Sequence, residues 1–238
     1  MSHKIGIIGG NGVAATNLLM ELLETAVTKA GAFRDCQHPE YIVIHATKAP
    51  SRSMYVEGRG ESFVGDYVHV ANQLKNAGCD MVCMCCNTAH FAIDEIQAQA
   101  GVPFINLIQE VAFKVRDMGL QSIGLMATDG SVKSRLYDRY FSRICPSVQV
   151  IYPPAELQAE VTRGICNTKN THRFDAADSP DRPCNIFPKV SNWLLAHGAQ
   201  KVISGCTDIR VDYYKDGQLD SLEILRDAIL AFSMEKCW

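Results

Sequence analysis

The stretch Asp80-Met81-Val82-Cys83-Met84-Cys85-Cys86-Asn87-Thr88-Ala89-His90 changes from apolar to polar at Cys86. Residues 80–85 are short, largely apolar and free of Gly and Pro, which predicts a strand buried on both faces of a parallel sheet. Asn87 and Thr88 are residue types that cap helices with their side-chain oxygens, and apolar residues follow them at helical spacing. Cys86 is therefore expected at the carboxyl edge of the sheet, where open α/β folds bind ligands.

The surroundings predicted for Cys86 favour an ionised thiol. The free N–H groups and the positive dipole end of the following helix both stabilise a thiolate, which can act as a nucleophile or as a base towards a carbon acid. Cys83 and Cys85 lie on the strand itself, where free cysteines behave as small hydrophobic residues. Three cysteines in four positions also suggest a metal, but the chain has no second Cys-x-x-Cys and no His-x-x-x-His, so no metal site is predicted.

The composition limits the class of protein. The chain has 238 residues, a formal net charge of −3 and 47% hydrophobic residues, which suits one or two domains with a substantial core. Its lysines and arginines are scattered, so nothing indicates a nucleic-acid or membrane partner. The sequence shows no signal peptide and no apolar run long enough to span a bilayer, so we expect a cytoplasmic protein with reduced cysteines.

Two loops of the first half follow predicted strands. Gly9-Gly10-Asn11-Gly12 follows the strand at 4–8 and precedes an amphipathic helix, so its N–H groups could hold a phosphate or, more simply, a carboxylate. Its spacing matches neither a dinucleotide-binding loop nor a Walker loop. Arg52 follows the strand at 41–45, where it either forms a two-pronged contact with a carboxylate or is simply solvated.

From residue 121 the pattern of the first half starts again. Residues 122–130 resemble residues 4–12, a shift of 118 positions. Cys206, which follows another apolar run and precedes capping residues, lies 120 positions after Cys86. The two halves therefore share one register and one architecture.

This duplication predicts an α/β protein of two pseudo-symmetric lobes, each a mostly parallel sheet flanked by helices, with the active site in the cleft between them. We expect the N-terminal lobe to span residues 1–118 and the C-terminal lobe residues 119–212. A last helix, over about 213–238, is expected to pack back on the N-terminal lobe. The segments predicted in the second half include a helix over 131–140, a strand over 148–152, a helix over 156–164, a loop over 170–183 and a helix over 190–197.

Two matching lobes would place Cys86 and Cys206 on opposite walls of one cleft. Facing thiols could form a disulfide, a redox pair, or an acid and a base on either side of a substrate. Redox pairs use Cys-x-x-Cys and lasting disulfides are unusual in the cytosol, so the acid–base interpretation is preferred. Its natural chemistry is inversion of a carbon centre, in which one thiolate removes a proton and the opposite thiol delivers one to the other face. No pyridoxal site is evident, and none is needed.

With both cysteine segments in hand, the chain resembles the aspartate/glutamate racemase superfamily, and within it the aspartate racemase branch, over nearly its whole length. The resemblance is carried by Gly9-Gly10-Asn11-Gly12, Asp35-Cys36-Gln37-His38-Pro39, Pro50-Ser51-Arg52, Cys86-Asn87-Thr88-Ala89-His90, Thr128-Asp129-Gly130-Ser131, Gly205-Cys206-Thr207-Asp208 and Leu219-Asp220-Ser221. The two cysteine motifs, in this order and at this separation, are the specific ones. The resemblance implies racemisation of a small amino acid by two bases without a cofactor, in a homodimer.

The resemblance also implies residue roles. Cys86 and Cys206 are the two bases. The first glycine-rich loop and six polar residues are expected to contact the substrate, chiefly its α-carboxylate and amino group. The six residues are Asn11, Asn87, Thr88, Thr128, Ser131 and Thr207. Arg52 matches an arginine that holds the side-chain carboxylate, and Lys169 resembles a second such cation at a spacing one residue short.

The chain departs from the family's pattern at several positions. The first loop has Asn11 and Val13 where Met and Pro are usual, which implies an α-carboxylate pocket of different shape. Asp208 stands where glutamate is usual and is shorter by one methylene, which puts rate or substrate choice in question. Neither change removes a catalytic thiol.

We therefore expect an acidic amino-acid racemase, with aspartate as the first substrate and glutamate as the second. An apolar amino acid would leave the arginine unpaired, which disfavours it. The alternatives are another reaction of the superfamily, such as broad-specificity racemisation or maleate isomerase-like chemistry, and an amino-acid-binding module without turnover. Arylmalonate decarboxylase-like chemistry fits less well, because it retains one thiol and this chain has both.

Overall fold

The computed structural model describes residues 3–233 of the chain. Over that range eight strands form two four-stranded sheets in which every pairing is parallel. The strands are β1 (Ile5–Gly9), β2 (Tyr41–His45), β3 (Met81–Met84), β4 (Phe104–Ile105), β5 (Ser122–Met126), β6 (Gln149–Ile151), β7 (Lys201–Ser204) and β8 (Leu219–Asp220). The strand order is β2-β1-β3-β4 in the first sheet and β6-β5-β7-β8 in the second. The predicted α/β fold with two equivalent parallel sheets is confirmed.

Helices flank both sheets. They are α1 (Val13–Lys29), α2 (Arg52–Val56), α3 (Val64–Asn76), α4 (Ile93–Ala100), α5 (Leu107–Asp117), α6 (Asp129–Lys133), α7 (Leu136–Ile144), α8 (Ala155–Thr168), α9 (Pro183–Ala196), α10 (Ile209–Asp212) and α11 (Ser221–Ser233). Short 3-10 helices lie at Asp35–Gln37, Thr88–Ala92 and Thr171–Phe174. No helix among the described residues is long and apolar enough to cross a membrane.

The internal repeat has a packing basis. Gly6 on β1 and Gly124 on β5 each lie against a helix leucine. A Cβ atom at Gly6 would come within 2.9 Å of Leu74 Cβ, and one at Gly124 within 2.8 Å of Leu194 Cβ. Real Cβ contacts are not this short, so glycine at both positions lets α3 and α9 approach their sheets closely. The two lobes thus repeat one packing solution at equivalent positions.

A hydrophobic core joins the two lobes. It contains fully buried side chains from both sheets, such as Ile7 on β1 and Ile203 on β7. Cys83 and Cys85 are also fully buried in it, which confirms that they behave as small hydrophobic residues. Because interiors are close-packed, this continuous core holds the carboxyl ends of the two sheets in a fixed relation.

The predicted C-terminal helix begins later than expected. Gly217 adopts a left-handed conformation (φ 84°), and β8 pairs with β7 before α11 starts at Ser221. The sequence pattern missed β8 because two residues are too few to show a period. Helix α11 packs against α1 and α5 of the first half, and residues 234–238 of the predicted helix lie outside the described residues. The lobe boundaries at 118 and 212 stay a prediction.

Two other predicted segments differ from the structure. The helix over 131–140 is broken into α6 and α7 at Arg135, whose φ of 52° is left-handed and whose guanidinium lies 4.6 Å from the Tyr152 ring centre. The loop over 170–183 contains a 3-10 helix, and α9 starts at Pro183 rather than at 190. Proline suits a first helical position because its fixed φ matches the helix and its missing N–H has no role there.

Candidate active site

The two cysteine motifs leave their sheets in the same way. Beyond β3 the N–H of Cys85 donates to Ile8 O at 3.0 Å, and beyond β7 the N–H of Gly205 donates to Met126 O at 2.7 Å. After this last bond to the central strand each segment turns away from its sheet. The cysteine that follows therefore lies at the carboxyl edge of its sheet, in equivalent positions of the two lobes.

The structure brings the segments of the two predicted bases together. The Thr207 hydroxyl, next to Cys206, donates to Cys85 O, next to Cys86, at 3.3 Å. Cys86 is 9% exposed and Cys206 is 7% exposed, so both thiols are nearly enclosed. A substrate carbon held between them would be shielded from bulk water.

The two thiols have different charged neighbours. Cys86 lies near enough to Arg52 to raise the pKa of the guanidinium, whereas Cys206 Sγ lies 3.8 Å from Asp208 Oδ2. Burial raises the pKa of Cys206, Asp208 raises it further, and Lys169 opposes the shift. Cys206 is therefore held as the neutral thiol in the free protein, the form that donates a proton.

A cavity of about 480 Å³ has Arg52 and Asp208, the charged neighbours of the two thiols, on its wall, whereas neither Cys86 nor Cys206 lines it. The first glycine-rich loop, the start of α1 and the end of α8 form the remaining wall, and Arg173 and Phe174 lie at the rim. A Cβ atom at Gly12 would lie 2.0 Å from Asp208 Oδ1, so the loop approaches Asp208 this closely only without a side chain.

Backbone carbonyls hold Arg52 in place. Its Nη1 donates to Pro50 O at 2.9 Å and to Ala49 O at 3.5 Å, and its Nη2 donates to Asn11 O at 3.3 Å. Burial lowers the pKa of Arg52, but Cys86 raises it and the net shift is upward, so the guanidinium stays charged. Its buried Nε has no hydrogen-bond partner within residues 3–233.

Lys169 forms an ion pair with Asp208. Its Nζ lies 2.9 Å from Asp208 Oδ2, and its side chain is 47% exposed whereas that of Asp208 is 2% exposed. Burial lowers the pKa of Lys169, but Asp208 and Cys206 raise it and the net shift is upward. The ammonium therefore reaches the cavity, with part of its charge balanced by the buried carboxylate.

Asn87 does not cap a helix as expected. A 3-10 helix follows it, and its side chain makes no capping bond. Its Nδ2 donates instead to the Tyr137 hydroxyl at 2.8 Å, and the Ser221 hydroxyl donates to its Oδ1 at 3.2 Å. Both polar atoms of Asn87 are thus engaged with residues distant in sequence, which fixes the segment that carries Cys86.

Thr88, Thr128 and Ser131 form a cluster of three hydroxyls. Thr88 Oγ1 lies 2.8 Å from Thr128 Oγ1, and Ser131 Oγ lies 3.1 Å from each of the other two. The cluster joins the first cysteine motif to the start of α6 in the second half. The structure brings these predicted substrate contacts together, but places them away from the wall of the cavity. Their role towards a substrate stays a prediction.

His90 has a structural role that the sequence did not reveal. The N–H of Leu107 donates to His90 Nε2 at 3.1 Å, so Nδ1 carries the proton and donates to Cys86 O at 2.9 Å. Burial lowers the pKa of His90 to about 4. A neutral imidazole, protonated at Nδ1, therefore holds the backbone carbonyl of Cys86 in place.

A polar link between α2 and α6 also escaped the sequence analysis. The N–H of Gly130 donates to Ser53 Oγ at 2.9 Å, and this hydroxyl donates to Glu57 Oε1 at 2.9 Å. Lys133 Nζ lies 2.9 Å from Glu57 Oε2. Burial raises the pKa of Glu57, but its bonds to Lys133, Arg59 and Ser53 lower it and the net shift is downward. Arg52, predicted to lie in a loop, is the first residue of α2, because the Ser51 side chain caps that helix. The link therefore ties the helix of Arg52 to the second lobe.

No group of three or more His, Cys, Asp or Glu side chains within residues 3–233 is arranged to hold a metal ion.

A sequence model of the Asp/Glu/hydantoin racemase family matches residues 5–220. The chain belongs to this family. It is 22% identical over 209 residues to the broad specificity amino-acid racemase RacX of Bacillus subtilis (strain 168), covering 86% of this chain and 85% of RacX.

Two solved structures share the fold of this racemase-family chain. The aspartate racemase of Picrophilus torridus has a TM-score of 0.82 at 23% identity, covering 96% of this chain and 93% of that one. An aspartate racemase homologue from Pyrococcus horikoshii OT3 has a TM-score of 0.69 at 20% identity, covering 97% and 98%. The resemblance inferred from the cysteine motifs is confirmed, and family and relatives together indicate a racemase.

Proposed function

We propose that this racemase-family chain interconverts the enantiomers of an acidic amino acid, aspartate before glutamate, by a two-base mechanism without pyridoxal phosphate. The observation that carries the proposal is the pair of enclosed cysteines at equivalent strand ends of a repeated fold. The charged neighbours of the two cysteines differ in sign, because the cation near Cys86 is Arg52 and the anion beside Cys206 is Asp208.

The reaction needs only the two thiols as proton carriers. A thiolate on one side takes the proton from the α-carbon and becomes a thiol, while the bonding electrons remain on the substrate as a carbanion. The opposite thiol then gives its proton to the other face and becomes a thiolate. The protein ends with the two states exchanged, which is the starting arrangement for the reverse reaction.

The charges of the cavity support an acidic substrate. Arg52 and Lys169, two cations, lie on the same wall of the cavity, and the Lys169 side chain is 47% exposed. An apolar side chain would leave the Arg52 guanidinium without an anionic partner, at a cost of about 1–3 kcal/mol, whereas a carboxylate pairs with it. We propose that Arg52 and Lys169 bind the side-chain carboxylate of the substrate.

Broad-specificity racemisation is the second candidate. The cavity of about 480 Å³ is larger than aspartate fills, and its rim carries the exposed ring of Phe174. RacX, to which the chain is similar, is named as a broad specificity amino-acid racemase. Comparing the rates for acidic and neutral amino acids distinguishes the two candidates.

The direct test is chiral chromatography of L-aspartate and L-glutamate after incubation with purified protein and no added cofactor. We expect the D-enantiomer to appear. Cys86→Ala and Cys206→Ala should each lower the rate by at least roughly 10²-fold, because a one-sided site cannot return a proton to the opposite face. Cys79→Ala is the control, since Cys79 is buried ahead of β3 at the other end of the sheet. Near-normal racemisation by either cysteine variant would contradict the two-base mechanism.

Arg52→Ala tests the substrate class. Loss of charge-assisted bonds worth about 1.5–3 kcal/mol should lower kcat/KM for aspartate roughly 10- to 100-fold. Because the charge of Arg52 also acts on Cys86, the rate with a neutral amino acid measured alongside reports the effect on the thiol alone. An unchanged ratio of the two specificity constants would show that another residue holds the side-chain carboxylate.

We also propose a homodimer, which the resemblance implies. Sedimentation velocity at micromolar concentration measures its mass directly, and a monomer alone would contradict it.

A further inference from the structure

Helix α2, which begins at Arg52, is weakly anchored by apolar contacts. It has five residues and none of them is buried. Helices this short are unstable without tertiary contacts. Its Tyr55 ring packs edge-on against Phe63, with the ring centres 5.4 Å apart. Polar contacts are therefore needed to fix the place of this helix and of the guanidinium that it carries.

Glu57, which follows the last residue of α2, supplies such contacts. The Ser53 hydroxyl donates to its Oε1 at 2.9 Å. Its Oε2 lies 2.9 Å from Lys133 Nζ, at the end of α6, and 2.9 Å from Arg59 Nη2. The Glu57 side chain is 3% exposed, and a carboxylate buried to this degree depends on its partners for its charge. Arg59 belongs to the first lobe, so of the two cations only Lys133 joins the carboxylate to the second.

The Ser53 hydroxyl forms the second contact between the lobes. It accepts from the N–H of Gly130 at 2.9 Å. A Cβ atom at Gly130 would lie 2.9 Å from Ser53 Cα, so the backbones of α2 and α6 touch with no side chain between them. A hydroxyl has one proton, and Glu57 as a carboxylate only accepts. Glu57 thus takes the proton of Ser53 and leaves its lone pairs for Gly130.

The same turn of α6 also supports the first cysteine motif. The Ser131 hydroxyl donates to Thr88 Oγ1 at 3.1 Å, two residues after Cys86. Arg52 is bonded to the first lobe, where its Nη2 donates to Asn11 O at 3.3 Å. The start of α6 is therefore a common support for the helix of Arg52 and for the segment of Cys86, and the contact between α2 and α6 sets their relative position.

We infer that Glu57 is a positioning residue for Arg52, because it fixes the Ser53 hydroxyl and Lys133 across the two lobes and so holds the guanidinium in place against Cys86. The inference rests on the proposed function, in which Arg52 binds the side-chain carboxylate of the substrate. Glu57 does not line the cavity. It therefore acts through Arg52 and does not itself contact the substrate.

The first readout does not depend on turnover. Phenylglyoxal modifies arginine, and peptide mass spectrometry of the full chain gives the rate at Arg52. We expect Glu57→Leu to raise this rate at least roughly threefold, because a loosened α2 releases the guanidinium from its carbonyl partners more often. Glu57→Gln should give a smaller increase, because its amide oxygen still accepts from Ser53 but the charge that pairs with Lys133 is lost.

The second readout is a double-mutant cycle on kcat/KM. Glu57→Leu should lower kcat/KM for aspartate roughly tenfold, and that for a neutral amino acid less, because it displaces the group that binds the side-chain carboxylate. In an Arg52→Ala background the same substitution should have little further effect, since the residue that Glu57 positions is gone. A purely structural role would lower kcat/KM for both substrates in both backgrounds.

Two cations on one carboxylate oxygen give a matched pair of variants. Lys133 and Arg59 lie at the same distance from Glu57 Oε2 and are 64% and 61% exposed. Lys133→Met breaks the contact between the lobes and should raise the rate of Arg52 modification. Arg59→Met keeps that contact and should leave the rate unchanged. This pair tests the inference even where Glu57→Leu does not fold.

Arg52 modification at the wild-type rate in Glu57→Leu, equal rates in Lys133→Met and Arg59→Met, or additive effects in the double-mutant cycle would each overturn the positioning role. The modification rate also separates this role from the proposed function. A protein that shows the expected rates but does not racemise aspartate retains the positioning of Arg52 alone, and one that racemises with unchanged rates retains the racemase alone.

Discussion

Substitution of His90 should change how the stability of the protein depends on pH. In the folded chain the imidazole is 1% exposed and its pKa is lowered to about 4, whereas the unfolded chain protonates it near the ordinary value of 6.5. The unfolded state therefore takes up a proton first as the pH falls. The stabilisation from neutral His90 is complete above about pH 6.5 and is lost as the pH falls to about 4, a total of about 3 kcal/mol.

His90→Asn separates this effect from the hydrogen bond to Cys86. The asparagine amide can still donate to Cys86 O, but its side chain is too short to place an acceptor where Nε2 accepts from the N–H of Leu107. At pH 7.5 that unpaired N–H should destabilise the variant by about 1–3 kcal/mol. Between pH 6.5 and 4.5 the gap to the wild-type protein should narrow by about 2 kcal/mol, because the variant has no imidazole to protonate.

Urea denaturation followed by circular dichroism at several pH values measures these free energies of unfolding. The comparison uses the difference in free energy of unfolding between the variant and the wild-type protein at each pH. Burial raises the pKa of Asp220 to about 6, so in both proteins Asp220 stabilises the folded state as the pH falls through the same range, opposite to His90. His69→Asn, at an exposed histidine on α3, is the control for a histidine substitution outside the core. Parallel curves for His90→Asn and the wild-type protein would refute the assignment of His90 as a buried neutral imidazole.

Two further substitutions test contacts that shape the site. Tyr137→Phe leaves Asn87 Nδ2 without its acceptor. It should lower the free energy of unfolding, measured by urea denaturation, by about 1–3 kcal/mol and should also lower kcat. Unchanged stability would show that Asn87 Nδ2 finds another hydrogen-bond acceptor. Gly124→Ala forces a Cβ atom to within 2.8 Å of Leu194 Cβ and should cost about 1–3 kcal/mol, and Leu194→Ala should recover part of that loss in the double variant. A double variant less stable than the sum of the two single effects would contradict the packing explanation.

The fold was predictable because its signals are local or repeated. The strand over 41–45 has the predicted bounds, because a run of apolar, mostly β-branched residues marks it in the sequence. The shift of about 120 residues between the halves predicted two equivalent sheets, and Gly6 and Gly124 give that repeat a physical cause. Short or unusual features were missed: two residues of β8 show no period, and Arg135 carries no sequence sign of a left-handed conformation.

The candidate site was predictable in its residues but not in their partners. The cysteine motifs identified Cys86, Cys206 and Asn87, yet the bonds of Asn87 reach 50 and 134 residues along the chain, distances over which a sequence pattern carries no geometry. Asp208 was recognised as a departure from the family, but its ion pair with Lys169 depends on how α8 meets the second sheet. Such contacts follow from the tertiary fold alone.

The position of the isotope at early time tests the two-base mechanism most directly. L-Aspartate is incubated with the protein in deuterated water, and both enantiomers are separated and analysed by mass spectrometry before the reaction approaches equilibrium. Because each thiol exchanges its proton with solvent between turnovers, two bases predict deuterium at the α-carbon of the D-aspartate formed and protium in the L-aspartate that remains. Deuterium entering the remaining L-aspartate as fast as D-aspartate forms would mean that one base serves both faces, and would contradict the mechanism.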